Sequence, residues 1–234
     1  MQQNRPLVLI TFDDGYASHL RAAELMSDLK LKGVFSITVN WLEKEDGLFQ
    51  RDLRRIKQLG HMVCNHSMNH PRPEKLSIEQ IMNDYLQAKV WLNARGFFGD
   101  YLILPFGGNS LLGPVHQNLL EMEFKWVRSV RGDMNESGYL HIDHAPKTIV
   151  FRKNLQIMPV TAIGADKYVT QLPESIAASI KSCGISVVMY HRVLLSTPTD
   201  WDCTWQTFKS QMVFLSRKVA NREIDNVLPN ELMG

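Results

Sequence analysis

The sequence predicts an α/β fold built on a mostly parallel sheet, and three observations predict it. Short apolar runs rich in branched residues alternate with helix-length amphipathic stretches from one end of the chain to the other. Polar residues capable of chemistry fall where those runs stop, at the carboxyl ends of the expected strands, which is where functional groups gather in open or barrel-closed parallel sheets. A hydrophobic content of 44% with 21% charged residues over 234 positions is ordinary for a globular chain able to bury a sizeable core.

The elements follow in order. LVLITF (7–12) is the first strand. ASHLRAAELMSDLK (17–30) places Leu20, Ala23, Leu25, Met26 and Leu29 at helical spacing. GVFSITVN (33–40) is a second strand, RDLRRIKQLG (51–60) a helix stopped by glycine, and HMVCNH (61–66) a short extended segment. LSIEQIMNDYLQAKVWLNARG (76–96) is the longest helix, with Ser77 and Gln80 spaced as a capping box. DYLILPFGG (100–108) is a strand entering a Pro/Gly turn; GPVHQNLLEMEF (113–124) is a helix, and KWVRSVRG (125–132) a strand. Residues 133–148 read as loop and IVFRKNLQIMPV (149–160) as one strand. Residues 166–183 read as a helix with Pro173 near its start, ISVVMYHRV (185–193) as a strand ending at His191, and WQTFKSQMVFLSRKVA (205–220) as the last helix.

A net charge of +2 gives no strong field for nucleic acid or acidic membranes, and Arg51, Arg54, Arg55 and Lys57 read as one solvated helix face. Three cysteines make no disulfide scaffold and fit a reducing compartment. The polar start MQQNRP carries no visible secretory signal, and no apolar stretch has the length of a membrane span, so the expected location is cytoplasmic.

Two motifs carry chemistry. Asp13 and Asp14 stand together where the first strand ends, followed at once by Gly15. In NHSMNH (65–70), His66 and His70 are four apart, and one helical turn would put both imidazoles on one side to grip a metal. Alone, an Asp-Asp-Gly is a turn and two histidines so spaced are a solvated or core pair. Both at strand ends of one α/β pattern point to a two-His, one-carboxylate metal site with positions open for water and substrate.

TFDDG (11–15) followed by GHMVCNHSMNH (60–70) resembles the first two motifs of the NodB-type polysaccharide deacetylases, carbohydrate esterase family four. PFGGN (105–109) resembles the third motif and VVMYHRV (187–193) the last. The second motif carries Met62 where the family usually has glutamate. The resemblance implies one catalytic domain over residues 1–234, a distorted (β/α) barrel of the polysaccharide deacetylase type. It implies a metal-dependent hydrolase that removes N-acetyl groups from an amino sugar or N-acetylated polysaccharide, such as a cell-surface glycan. It makes Asp14, His66 and His70 the metal ligands, Asp13 the general base, His191 the general acid, and the Phe106 amide the oxyanion donor. Pro105, Gly107 and Trp41 are expected to contact substrate. One divalent ion is expected, zinc first, with cobalt, nickel or iron compatible with the same donors. The expected partner is an N-acylated carbohydrate, with no nucleic acid and no membrane span.

Two alternatives keep part of this reading. One is a deacetylase or deformylase of a nucleotide- or lipid-linked sugar; the other is an inactive carbohydrate-binding relative, against which intact Asp13 and His191 argue. Many family members pair the base aspartate with a third-motif arginine, and here Ile103 occupies that place. Lacking that cation the base is expected to have a higher pKa, unless Arg128, Arg131 or Arg152 supplies the charge from a neighbouring strand. The fourth motif is indistinct: Asp133 and Trp126 are its candidates, Trp126 reading more simply as core. His141 and His144 read as solvated loop, His19 and His116 as helix surface, and His61 as a strand start. Trp201 and Trp205 join Trp41 as candidate groove residues, Trp205 reading more simply as helix packing. Cys64 reads as an isolated buried thiol.

Overall fold

The computed structural model describes residues 5–72, 75–107, 118–119, 122–129, 150–152, 155–196 and 198–232. In chain order these form β1 (Leu7–Phe12), α1 (Ser18–Asp28), β2 (Val34–Ile37), a 3-10 turn (Val39–Trp41), α2 (Gln50–Gln58), β3 (Met62–Asn65), α3 (Ile78–Asn93) and β4 (Phe98–Ile103). A turn at Pro105–Gly107 follows, then β5 (Trp126–Ser129), β6 (Val150–Arg152), β7 (Leu155–Pro159) and β8 (Ala162–Ile163). The chain continues through α4 (Gln171–Ser182), β9 (Ile185–Tyr190), β10 (Val193–Leu194), β11 (Cys203–Thr204), α5 (Trp205–Ala220) and β12 (Asp225–Asn226).

Among the described residues, one sheet runs β6-β7-β5-β4-β3-β2-β1-β9-β8, with β12 joined to β1. Every pairing in it is parallel except β6 with β7. The α/β expectation therefore holds, with β8 and β6 as the two ends of a (β/α) barrel sheet. None of the described helices is long and apolar enough to cross a membrane.

Alternation along the strands sorts side chains into two layers. Val8, Ile10 and Phe12 of β1 face the helices and pack with Ala22 and Met26 of α1, Leu53 and Ile56 of α2, and Phe208 and Met212 of α5. Leu9 points the other way, into the barrel interior, with Val34, Met62, Cys64, Ile103, Trp126, Val187 and Met189. This is why the strands read as nearly continuous apolar runs: both of their faces are buried.

Most element boundaries lie within a few residues of expectation. The Ser77–Gln80 capping box forms as the sequence predicts, Ser77 Oγ accepting from the Gln80 amide and Gln80 Oε1 from the Ser77 amide. Two differences matter. The stretch expected as one strand at 149–160 is two strands, β6 and β7, paired antiparallel as a hairpin. The expected helix over 166–183 is split into a 3-10 turn at Asp166–Tyr168 and α4, with Pro173 in the first turn of α4, where a missing N–H costs no helical bond. Most of the expected helix at 113–124, the loop at 133–148 with Asp133, His141 and His144, and both Arg131 and His116 lie outside the described residues.

Candidate metal centre and active site

The two aspartates occupy the exit of β1, and backbone geometry makes their side chains diverge. Leu9, Thr11 and Asp13 alternate onto the inner face of the sheet. Asp14 then takes a left-handed conformation (φ 80°), as does Gly15 (φ 89°). The left-handed region is uncommon for a residue with a Cβ and recurs at functional sites that the surrounding fold holds in place. At Gly15 a Cβ would also meet Ile37 Cδ1 at 3.3 Å, so glycine suits this position on two counts.

His66 and His70 meet, but not on a helical turn. Residues 66–70 form a tight non-helical loop after β3, with Ser67 and His70 themselves at positive φ. Side chains supply the order a helix would have given. Ser67 Oγ accepts the His70 amide at 2.7 Å, and Asn65 Oδ1 accepts the Ser67 amide at 2.7 Å. From α3, buried Asp84 accepts the Met68 and Asn69 amides at 2.8 and 3.2 Å and the Asn69 side chain at 2.6 Å. Sequence reasoning missed Asp84; its only trace is an acid one residue before Tyr85, on the buried side of the longest helix.

The three expected ligands converge. Asp14 Oδ1 lies 3.2 Å from Nε2 of His66 and 3.2 Å from Nε2 of His70. One ligand atom from each residue fits within 4.8 Å. His66 Nδ1 lies 2.8 Å from the Ile103 carbonyl, which can only accept, so the ring carries its proton there and turns the Nε2 lone pair to Asp14. Asp14 Oδ1 is buried and receives no hydrogen bond from any of the described residues. Burial alone would raise the Asp14 carboxyl; with protons on the imidazole nitrogens that face it, the two rings more than offset this and hold it well below the usual carboxylate range, a part that a cation takes over when those nitrogens present lone pairs. Acceptor atoms aimed at one another without a hydrogen between them are what a divalent cation resolves, and a carboxylate with two imidazoles suits a first-row metal.

Asp13 has a different partner. Arg128, fully buried on β5, donates from its two terminal nitrogens to Asp13 Oδ1 at 3.0 Å and Oδ2 at 2.6 Å, and also to Thr11 Oγ1 at 3.1 Å. The cation that Ile103 fails to supply is therefore present. In the parallel register of β4 and β5, Ile103 is the direct partner of Arg128, so the charge sits one strand over at the same height. The side chain of Arg152 lies outside the described residues.

His191 stands half-buried just beyond β9, the strand paired with β1 on the side away from β2. Its ring centroid is 6.3 Å from that of Trp201, and its Nδ1 is buried with no hydrogen-bond partner among the described residues. Phe106 lies in the turn after β4 at φ 54°, between buried Pro105 and Gly107. Its ring, 54% exposed, sits 4.5 Å from the His70 ring, with the Arg72 guanidinium 4.9 Å from its centroid. Trp41, 36% exposed, lies 5.0 Å from the same His70 ring, centroid to centroid. Tyr16, also missed from sequence, closes the floor between Trp41 (6.5 Å) and Arg192 (5.5 Å). Burial first, and then the Asp14 carboxylate, push its phenol above the ordinary range, so it stays protonated.

Several background readings change. His19 is not helix surface but fully buried. His61 is buried and structural, its Nδ1 accepting the Gly33 amide at 3.0 Å and its Nε2–H donating to the Ala23 carbonyl at 2.9 Å. Trp126 is fully buried core, and Trp205 packs on Phe208 with Arg21 3.9 Å above its ring. Cys64 is buried, and burial raises its thiol, which makes it inert.

Comparison with known proteins bears on the family resemblance and the fold. Residues 1–110 match the family model described as polysaccharide deacetylase. A peptidoglycan-N-acetylglucosamine deacetylase, PgdA, of Listeria monocytogenes is 28% identical over 103 residues, which cover 43% of this chain and 21% of that protein. A peptidoglycan-N-acetylglucosamine deacetylase of Bacillus cereus is 26% identical over 128 residues, covering 53% of this chain and 41% of the relative. The chain thus matches less than half the length of either curated relative. A crystal structure of a Mycobacterium smegmatis protein assigned as a polysaccharide deacetylase superposes with a TM-score of 0.72 at 12% identity, covering 100% of this chain and 91% of that one. The polysaccharide deacetylase pattern thus covers the first 110 residues and the fold of such a protein the whole chain, which supports the resemblance to the NodB-type polysaccharide deacetylases read from the sequence.

Proposed function

We propose that this protein hydrolyses the N-acetyl group of an amino sugar in a glycan, using a divalent metal held by Asp14, His66 and His70. The observation that supports this most is the side-by-side division of labour at the end of β1. Asp14 faces two imidazoles, while Asp13 is gripped by a buried guanidinium. The curated relatives act on peptidoglycan N-acetylglucosamine, which favours a polymer of that sugar as substrate.

A divalent cation on the three ligands supplies Lewis acidity and brings the pKa of water towards ~7. The chain's own groups do the rest. Asp13, fixed on both oxygens by Arg128, is oriented to take a proton from the attacking water. The Phe106 amide, presented by the left-handed turn after β4, is the donor for the developing oxyanion. His191 gives a proton to the departing amine, which without it is a poor leaving group. Trp41 offers a flat apolar face beside the centre for a pyranose ring.

The test is acetate release from chitotetraose and from peptidoglycan fragments by the full chain supplied with zinc or cobalt. Acetate from the wild type and none from His66→Ala supports the reading. No acetate with any substrate and metal would remove it and leave sugar binding without turnover. Formate from an N-formyl sugar, in place of acetate, would change the acyl group assigned.

A further inference from the structure

His19 has no place in the chemistry above, yet it is a fully buried imidazole set directly behind the acid. Its Nε2 lies 3.0 Å from the main-chain carbonyl of His191. A carbonyl only accepts, so Nε2 carries the proton and Nδ1 is a lone pair, which is buried with no partner among the described residues. The ring is boxed by Phe12, Tyr16 and Phe35, with centroids at 5.3, 5.7 and 5.9 Å. A polar side chain in an aromatic box, leaving one nitrogen unsatisfied, carries a cost that is unexplained by packing alone.

The surroundings show what the bond holds. The three residues after β9 are tied from outside at successive backbone groups. His19 holds the His191 carbonyl, Asp202 accepts the Arg192 amide at 3.3 Å, and Cys203 donates to the Arg192 carbonyl at 3.1 Å. Ser18 Oγ accepts the Val193 amide at 3.1 Å. Ser18 and His19 open α1, four and five residues past Asp14, so the turn carrying the base and the metal ligand is joined to the segment carrying the acid. Among the described residues nothing bonds the His191 ring at Nδ1, so its position rests on its backbone.

We propose that His19 is a positioning residue for His191: its Nε2–H holds the His191 carbonyl and so fixes where the acid imidazole stands relative to the Asp13–Asp14 turn. The inference rests on the reading of His191 as general acid. Misplacement by about 1 Å costs on the order of 100-fold in such a proton transfer.

The experiment compares two probes with the metal-loaded full chain. Chitotetraose loses an amine that needs the proton of His191; 4-nitrophenyl acetate loses a phenolate that does not. His19→Leu should lower kcat on chitotetraose roughly 10- to 100-fold with KM within about threefold, and leave ester turnover within about threefold. His19→Gln, which offers an N–H at the same reach, should recover most of the loss. Ser18→Ala, a milder cut in the same latch, should give a smaller loss of the same selective kind and serves if the leucine variant does not fold. Long-range ¹H–¹⁵N NMR of the imidazoles should show His19 as the Nε2–H tautomer. Equal loss on both probes, no loss on either, or an Nδ1–H tautomer would overturn the proposal. His191→Ala separates the two levels. If it spares chitotetraose turnover, the acid assignment fails and the positioning role with it; if it is selective while His19→Leu is silent, only the positioning role fails.

Discussion

Arg128 on β5 holds both carboxylate oxygens of Asp13, at 3.0 and 2.6 Å, from the register position directly opposite Ile103. The pair is buried at both ends, so its loss leaves an uncompensated charge rather than a solvated one. Arg128→Met should destabilise the fold by about 3–5 kcal/mol in urea titrations and abolish most turnover. Arg128→Lys keeps the charge but not the two-pronged grip, and should fall between wild type and Arg128→Met in kcat.

The ligand triad predicts linkage between metal and stability. Zinc at 100 times its dissociation constant should raise the unfolding free energy by about 2.7 kcal/mol, and chelator should reverse it. Asp14→Ala and His66→Ala should show neither shift in a thermal melt, and should purify without the one equivalent of metal expected of the wild type.

Asp84 gives a prediction away from the chemistry. It touches no ligand, but it secures the Met68 and Asn69 amides that set the path to His70. Asp84→Ala should weaken metal affinity 10- to 100-fold by competition with a chromogenic chelator. Asp84→Asn, which still accepts, should cost less.

Buried histidines set the acid limb of stability. Burial depresses His19 to about 4, outweighing the His191 carbonyl and the Asp14 and Asp13 carboxylates that favour its proton. His61 is lowered by burial as well. The unfolded chain therefore takes these protons first, near pH ~6.5, and the folded chain only lower. Stability is intact above that pH and is lost as pH falls towards about 4, by on the order of 3 kcal/mol from His19. Unfolding midpoints of wild type and His19→Gln, measured at neutral and acid pH, should differ in pH dependence by about that amount.

Trp41, at 5.0 Å from the His70 ring, should matter to sugars and not to small esters. Trp41→Ala is expected to raise KM for chitotetraose roughly fivefold, about 1 kcal/mol, while ester turnover stays within about twofold.

Periodicity located β1 and α5 to the residue and α3 to within three residues at each end, because each is long or strongly patterned, and α3 carries its own cap. It merged β6 with β7 because a hairpin of apolar strands has the composition of one long strand. It placed His19 on the surface because a single polar residue among the apolar positions of α1 does not reveal that its face of the helix meets β1 and the end of β9.

What the sequence by itself determined is the set of chemical groups and the strand ends that carry them: Asp13, Asp14, His66, His70 and His191 each follow a recognisable apolar run, and proximity along the chain makes those motifs local. What only the tertiary structure decided is which groups share a partner. The choice of Arg128 over other arginines depends on the β4–β5 register, the loop that joins His66 to His70 depends on Asp84 from α3, and the hold on His191 depends on α1. Each joins residues far apart in the chain through hydrogen bonds whose reach is about 3 Å, and such distances are set by how strands align and helices dock.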